Sequence, residues 1–178
     1  MNWKEMLRTR ADEVYHAAKG LIAMCDESKL DWKPESGTNW LTTGQLLRHI
    51  ASACGLTAKG FATGEWDMAG YGIDPSWKPA NEQDMLPPAE AHMSVESLAD
   101  AQKRLEDDKA EFLSALEGLD EDRLNNERST APWGGPESPL GSHMASCITH
   151  LETHKNQLFY YLKLQGKPVN TMHLWGMA

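Results

Sequence analysis

Apolar residues recur every three or four positions in four separate segments of the chain. Because an α-helix completes a turn every 3.6 residues, this spacing places them along one side of a helix, which must be buried against another element. Strict alternation of apolar and polar residues, which is typical of a half-buried strand, is not sustained anywhere. The pattern therefore predicts an all-α fold, with four amphipathic helices packed as a four-helix bundle.

Capping and chain-breaking residues set the expected bounds of these helices. Thr42 and Gln45 have the spacing of a capping box and predict the start of the second helix. Ser94 is the predicted N-cap of the third. Ser138 followed by a proline predicts the start of the fourth and longest, with Gly166 as its C-cap. The predicted helices cover residues 2 to about 27, 42 to about 60–64, 94 to about 120, and 138 to 166.

The connection between the second and third predicted helices is unusually long. It extends over residues 61–93 and is rich in glycine, proline and tryptophan, whereas ordinary connections have about 4 to 6 residues. A crossover from one end of a bundle to the other would need such a length and would make these two helices parallel. We therefore expect an up-down-down-up topology. Trp66, Trp77 and Trp133 are candidate lid residues over the bundle mouth, or plugs of its end.

Charge and hydropathy argue against several classes of protein. The net charge is −9 and the chain has no run of lysine or arginine, which argues against a nucleic-acid partner. We identify no signal peptide after Met1, and no apolar stretch approaches the ~18 uninterrupted residues that a membrane-spanning helix needs. A length of 178 residues suits one domain. We expect a single cytoplasmic domain over residues 1–178 with no membrane partner.

The three cysteines, Cys25, Cys54 and Cys147, are widely spaced and lie among apolar or small residues. An odd number at such spacing gives no disulfide framework, and free cysteine is among the most frequently buried residues. We therefore expect small core residues in a reducing compartment rather than catalytic thiols.

His150 and His154 are four residues apart in the fourth predicted helix. They lie ~40° apart around the helix axis and about one turn apart along it, so both imidazoles can reach one point. Neutral imidazole nitrogens bind zinc, and they also suit nickel, copper and ferrous iron. Taken alone, histidines at this spacing are more often solvated or core residues than metal ligands.

His49 lies on the apolar face of the second predicted helix, between Leu46 and Ile50. An imidazole without a partner there would be desolvated at a cost. It either bonds to a backbone carbonyl or hydroxyl in the core, or it is a third metal ligand from a facing helix. Three histidines without a carboxylate would leave at least one coordination position open, as in catalytic metal sites. No catalytic side chain can be assigned.

The other candidate polar residues have weaker patterns. His143 precedes His150 by seven residues on the same face, too far along the helix to share its ion, so we expect a role in the cap region or at a pocket rim. Gln157 could hydrogen-bond His154 or a bound water, or make a polar contact between helices. Three more histidines are predicted to be surface or loop residues: His16, His92 and His173.

Several segments resemble the DinB family of proteins. The strongest match is HLETHKNQL at 150–158, followed by YLKLQGKPV at 161–169, which resemble the family's helix with an H-x₃-H-x₂-Q pattern and its glycine-proline ending. WKP at 32–34, NWLT at 39–42 and QLLRHIA at 45–51 resemble its tryptophan-proline turn and its histidine segment. The resemblance implies a four-helix bundle with a long second connection and a divalent metal bound by His49, His150 and His154.

The resemblance also implies a class of function, because some members of the family use the metal to activate a low-molecular-weight thiol. Our first hypothesis is a metal-dependent enzyme, with zinc or nickel, that transfers a thiol to a small-molecule substrate or hydrolyses it. The alternative is a non-catalytic helical-bundle binding protein whose metal is adventitious or absent. The resemblance and the apolar excess on the first and third predicted helices also favour a homodimer.

Overall fold

Helices form the scaffold of the computed structural model, which describes residues 2–67, 69–80 and 86–178. The α-helices in this part of the chain are α1 (Trp3–Ala23), α2 (Thr43–Ile50), α3 (Gly55–Thr63), α4 (Leu98–Glu117), α5 (Glu121–Asn126), α6 (Leu140–Leu164) and α7 (Thr171–Leu174). A short antiparallel ribbon pairs β1 (Arg128–Ser129) with β2 (Ser138–Pro139). The fold is mostly helical, as predicted, except for this small sheet.

The long helices share one apolar core. Helix α1 packs against α4 and α6, α3 packs against the same two helices, and α2 packs against α6. Their apolar stripes meet in a cluster that includes the fully buried side chains of Leu21, Phe112 and Leu151. The residues spaced by three and four positions in the sequence are therefore the ones that form the core.

The second predicted helix is in fact two helices, because α2 ends at Ile50 and α3 begins at Gly55. The buried carboxylate of Asp108 in α4 accepts hydrogen bonds from the backbone nitrogens of Gly55 at 2.9 Å and Leu56 at 3.3 Å, and from the Tyr15 hydroxyl at 2.6 Å. These bonds satisfy N–H groups that a helix start leaves free. The prediction of one continuous helix was wrong, because the carboxylate that caps α3 comes from another helix.

A side chain at position 55 would have no room. A Cβ atom on Gly55 would lie 2.0 Å from the backbone oxygen of Asp108, closer than any real contact. The helices α3 and α4 therefore approach so closely that only glycine fits, which fixes where α3 starts.

Two predicted N-caps are displaced. The N-cap of α4 is Ser97, whose hydroxyl accepts from the Asp100 backbone nitrogen at 3.0 Å, and not Ser94. The Val95 nitrogen instead donates to the Gly44 oxygen, so this stretch belongs to the connection. At the other end of the chain, Ser138 is part of the ribbon and α6 begins two residues later.

The helix ends agree more closely with expectation. Helix α1 stops at Ala23, before the predicted 27, and a 3₁₀ turn at Glu27–Lys29 follows. Helix α6 ends at Leu164 with Gln165 as its C-cap, and Gly166 follows with a φ of 77°. This left-handed conformation favours glycine, which explains the stop signal in the sequence.

The long connection folds back on itself, and Met68 and residues 81–85 of the predicted crossover lie outside the described residues. Ile73 and His92 form an antiparallel bridge, and a backbone hydrogen bond joins the Met93 nitrogen to the Gly72 oxygen at 2.8 Å. The side-chain amide of Gln45 in α2 donates to the backbone oxygens of Ala89 at 3.0 Å and His92 at 2.8 Å. The connection is thus attached to α2.

All three cysteines are free and buried, as the prediction of core residues requires. Burial raises the pKa of the Cys25 thiol to about 12. A protonated thiol is a weak nucleophile, which agrees with a packing role.

Among the described residues, none of the helices combines the length and apolar character needed to cross a bilayer.

Candidate metal centre

Three histidines converge between α2 and α6. His49 is the penultimate residue of α2, and its Nε2 lies 3.3 Å from Nε2 of His150 and 3.0 Å from Nε2 of His154. One ligand nitrogen from each ring lies within 4.8 Å of the other two. The structure therefore brings together the three histidines that the sequence singled out, in an arrangement that could hold a metal ion.

Hydrogen bonds fix the orientation of two of these rings. Nδ1 of His150 lies 3.2 Å from the backbone oxygen of Ala53, and Nδ1 of His154 lies 2.7 Å from Oε1 of Gln157. Because both oxygens can only accept, each Nδ1 carries the proton and each Nε2 keeps its lone pair. The predicted contact between Gln157 and a candidate ligand histidine is confirmed.

Burial keeps the three rings neutral. It lowers the pKa of His49 to about 2, with smaller contributions from the charged forms of His154 and His150. Burial also lowers the pKa of His150, to about 4, and that of His154. Since neutral imidazole is the form that binds metals, the site presents its ligand atoms at neutral pH without losing a proton.

The spacing of the nitrogens fits one shared cation. Two nitrogens bound to zinc at about 2.0–2.1 Å, with an angle between 90° and tetrahedral, stand roughly 2.9–3.4 Å apart. The distances of 3.0 and 3.3 Å from His49 Nε2 fall in this range. Without a cation, one proton at most, on Nε2 of His49, would have to serve the Nε2 lone pairs of both His150 and His154.

His49 has a further unpartnered atom. Its Nδ1 is buried and has no hydrogen-bond partner among the described residues. If the ring proton is on Nδ1, the lone pair of Nε2 points at the other two histidines, which is the arrangement that a metal ion requires. The donor set contains only histidine among the described residues, so three neutral ligands would leave a tetrahedral ion one open position.

His92 is a site residue that the sequence analysis placed only at the surface or in a loop. It does lie in the long connection, but its half-buried ring meets the His49 ring edge-on, with centroids 5.4 Å apart. Burial lowers its pKa. No local sequence signal could have revealed this contact, because the Gln45 hydrogen bonds that hold the connection in place join residues far apart in the chain.

The remaining histidines lie elsewhere. His143 stacks on Phe61 with ring centroids 4.1 Å apart, its Nε2 lies 2.9 Å from the Ser129 oxygen, and it lines a cavity, as the predicted pocket-rim role requires. Two others lie outside the histidine cluster: His16, which is exposed on α1, and His173, which is in α7.

The three tryptophans predicted as lid residues differ in whether they line this cavity. Trp133 lines a cavity that includes His150 and extends along α6. Trp66 does not line it but packs edge-on against Trp133, with centroids 5.6 Å apart. Trp77 is outside the lining as well. Glu152, which lies between His150 and His154 in the sequence, pairs with Arg10 at 2.6 Å and is not part of the histidine cluster.

The chain is similar to known proteins in sequence pattern and in fold. A family model described as the DinB superfamily matches residues 8–158. A crystal structure of a candidate member of the DinB family from Exiguobacterium sibiricum 255-15 has a TM-score of 0.64 and 17% identity. The match covers 97% of this chain and 98% of the Exiguobacterium chain. The crystal structure of a DinB-like protein from Bacillus subtilis, YjoA, has a TM-score of 0.63 and 14% sequence identity. The match covers 94% of this chain and 97% of the Bacillus chain.

No curated protein matches the chain. At identities of 17% and 14%, the solved structures establish the fold only. The family model, however, covers most of the sequence, including His49, His150 and His154. The chain therefore belongs to the DinB superfamily.

Proposed function

We propose that this protein is a metal-dependent enzyme that binds a divalent ion, zinc or nickel, through His49, His150 and His154. Its reaction is transfer of a low-molecular-weight thiol to a small-molecule substrate, or hydrolysis of that substrate. The observation that carries the proposal is the convergence of three partly buried imidazoles on one point. The helices that supply them form an up-down-down-up bundle in this proposal, with the long connection as the crossover.

The chemistry that a metal would supply is activation of a nucleophile, because a divalent ion lowers the pKa of a water or thiol bound to it. The protein holds the ligands in one orientation: the Ala53 carbonyl fixes the ring of His150, and the Gln157 side chain fixes that of His154. Such outer hydrogen bonds keep the tautomer that points each Nε2 at the ion.

The substrate would enter from the side of His150. The cavity there is lined in part by aromatic side chains, including Phe61 and Trp133. The cluster holds no carboxylate among the described residues that could act as a general base at the ion. A metal held by His49, His150 and His154 would supply that chemistry itself, since coordination lowers the pKa of a bound thiol or water.

The first experiment is elemental analysis of the protein purified without a histidine tag. We expect close to one zinc or nickel ion per chain, and loss of the ion in His154→Ala with an unchanged circular dichroism spectrum. His16→Ala is the matched control, since it removes an exposed histidine outside the cluster. Metal well below one per chain, with no change in stability on chelation, would favour the alternative of a non-catalytic binding protein.

The second experiment separates the two reactions. The metal-loaded protein is incubated with electrophiles and hydrolysable small molecules, with and without a low-molecular-weight thiol. Turnover that needs both metal and thiol supports transfer, whereas turnover with metal alone supports hydrolysis. His154→Ala should be inactive in both assays, and activity in that variant equal to the wild type would exclude the proposed site.

A further inference from the structure

A cavity of about 620 Å³ has His150 in its wall. It lies between α3, α6 and the loop that joins β1 to β2. Along α6, the lining residues Ser142, Ser146 and His150 follow one another at intervals of four, so they face the same side of the helix. A molecule in this cavity would therefore lie directly against one of the three proposed metal ligands.

Aromatic rings form much of its wall. Phe61 of α3 and Trp133 of the loop meet edge-on with centroids 6.0 Å apart, and Tyr71 lines the cavity from the long connection. Trp66 packs behind Phe61 and Trp133 at 5.1 and 5.6 Å. Rings held in this way offer flat faces and edges to a bound aromatic group, at little cost in conformational entropy.

Besides the imidazoles of His143 and His150, the polar groups of the wall are mostly hydroxyls, and several of these have partners. Ser146 donates to the Ser142 backbone oxygen at 2.9 Å, and the hydroxyls of Thr57 and Tyr71 lie 3.2 Å apart. Among the described residues, the lining contains no aspartate, glutamate, lysine or arginine. A carboxylate or phosphate group would lose its hydration there without a cationic side chain to replace it.

We infer that this cavity binds an uncharged small molecule with a planar aromatic group, and orients its reactive end toward His150. The inference rests on the proposed function for its chemistry, because the metal site is what makes His150 the reactive end of the cavity. The substrate class would be compounds that place an uncharged aromatic group against this wall, as opposed to metabolites that place a carboxylate or phosphate against it. The hydroxyls of the wall would accept or donate single hydrogen bonds to such a molecule.

The test uses two probes with the same ring system, 2-naphthol, which is uncharged at neutral pH, and 2-naphthoate, which is an anion. Binding of each to the metal-free protein is measured by isothermal titration calorimetry. Because the carboxylate would be desolvated without a partner, we expect 2-naphthol to bind at least about tenfold more tightly. Equal or tighter binding of 2-naphthoate would overturn the inference.

Two variants of α6 locate the probe. Ser146→Phe places a ring into the cavity and should weaken 2-naphthol binding by at least about tenfold. Thr149→Phe is the matched control, since Thr149 is exposed on the same helix outside the lining, and it should bind 2-naphthol as the wild type does. Both variants are checked by circular dichroism. Unchanged binding in a folded Ser146→Phe would show that the probe binds elsewhere and would overturn the inference.

A parallel zinc titration separates this inference from the proposed function. If zinc binds stoichiometrically but 2-naphthol does not bind, the substrate class is wrong and the metal site stands. If 2-naphthol binds in the cavity but zinc does not bind, the cavity assignment stands and the proposed metal-dependent function fails. Wild-type zinc affinity in Ser146→Phe would show that the variant has filled the cavity without disturbing the histidines.

Discussion

In His150 and His154 the two ring nitrogens have different roles. Nδ1 donates to a protein oxygen, and Nε2 points at the site that could hold a metal. Gln157 is exposed, and its Oε1 lies 2.7 Å from Nδ1 of His154. Its removal should therefore change metal binding more than it changes folding.

Gln157→Leu should weaken zinc binding about 10- to 100-fold, because His154 loses the acceptor that holds its tautomer and orientation. Competition with a chromophoric chelator measures the affinity. Gln157→Glu keeps an acceptor at the same position and should bind zinc at least as tightly as the wild type. Equal affinity in the leucine variant would mean that this hydrogen bond does not position the ring.

The partly buried histidines of the cluster also predict a pH dependence of stability. Their pKa values are lowered in the folded protein, to about 2 for His49 and about 4 for His150. In the unfolded chain a histidine titrates near 6.5, so below that pH the unfolded state binds protons that the folded state does not. Stability is fully present above pH 6.5 and falls as the pH drops toward the folded-state values.

For the metal-free protein, we expect the free energy of unfolding to fall between pH 6.5 and 4.5. Each of these histidines contributes at most about 1.4 kcal/mol per pH unit. Urea unfolding of the wild type and of His150→Gln at several pH values measures this free energy. Titratable groups common to both proteins cancel when the free energy of one is subtracted from that of the other. The free energy of unfolding of the variant should fall less on acidification than that of the wild type. Parallel curves of this free energy against pH would contradict the burial assigned to His150.

Among the elements, the start of α3 depends most on a distant contact. The N-terminal backbone nitrogens of α3 donate to Asp108, and Gly55 leaves space for the α4 backbone. The same turn carries Ala53, whose carbonyl orients His150. The break between α2 and α3 is therefore part of the support of the histidine cluster.

Gly55→Ala should destabilise the protein by about 1–3 kcal/mol, because its Cβ would overlap the backbone of α4. Gly20→Ala is the matched control, since a Cβ there meets no atom within 4 Å and alanine favours a helix interior. We expect that variant to be stabilised by about 0.5–1 kcal/mol. Chemical unfolding of both variants and the wild type measures the free energies of unfolding. If both variants shifted this free energy in the same direction, the close packing described at Gly55 would be contradicted.

At the scale of the whole molecule, a metal would join α2 to α6, which lie far apart in the sequence. Binding to the folded state alone stabilises a protein according to the ratio of free ligand to its dissociation constant. At free zinc 100-fold above that constant, the gain is about 2.7 kcal/mol. This gain in stability should be absent in His49→Ala. Thermal unfolding of both proteins with and without a chelator measures it. An equal increase in both proteins would place the zinc elsewhere.

The expected homodimer stays a prediction. Analytical ultracentrifugation of the purified chain tests it, with a mass twice that of the chain as the expected result.

Much of this protein could be predicted from its sequence because the relevant contacts are local. The apolar stripes follow from helical periodicity, and the pairing of His150 with His154 and Gln157 follows from intervals of three and four residues on one helix. Local spacing also identified His49 as an unusual polar residue on an apolar face. These features need only the geometry of a single helix.

Only the tertiary structure decided the rest. The carboxylate of Asp108 interrupts the second predicted helix, the Gln45 side chain holds His92 beside His49, and the cavity at His150 has walls from three separate parts of the chain. Each of these depends on atoms that are distant in sequence and meet only when the helices pack. The sequence alone determined which face of each helix is apolar and which histidines are candidate ligands. The packing of the helices determined where the second predicted helix is interrupted, which aromatic rings are in contact and where the cavity lies. These features could not be predicted from the sequence because close packing depends on every neighbour at once.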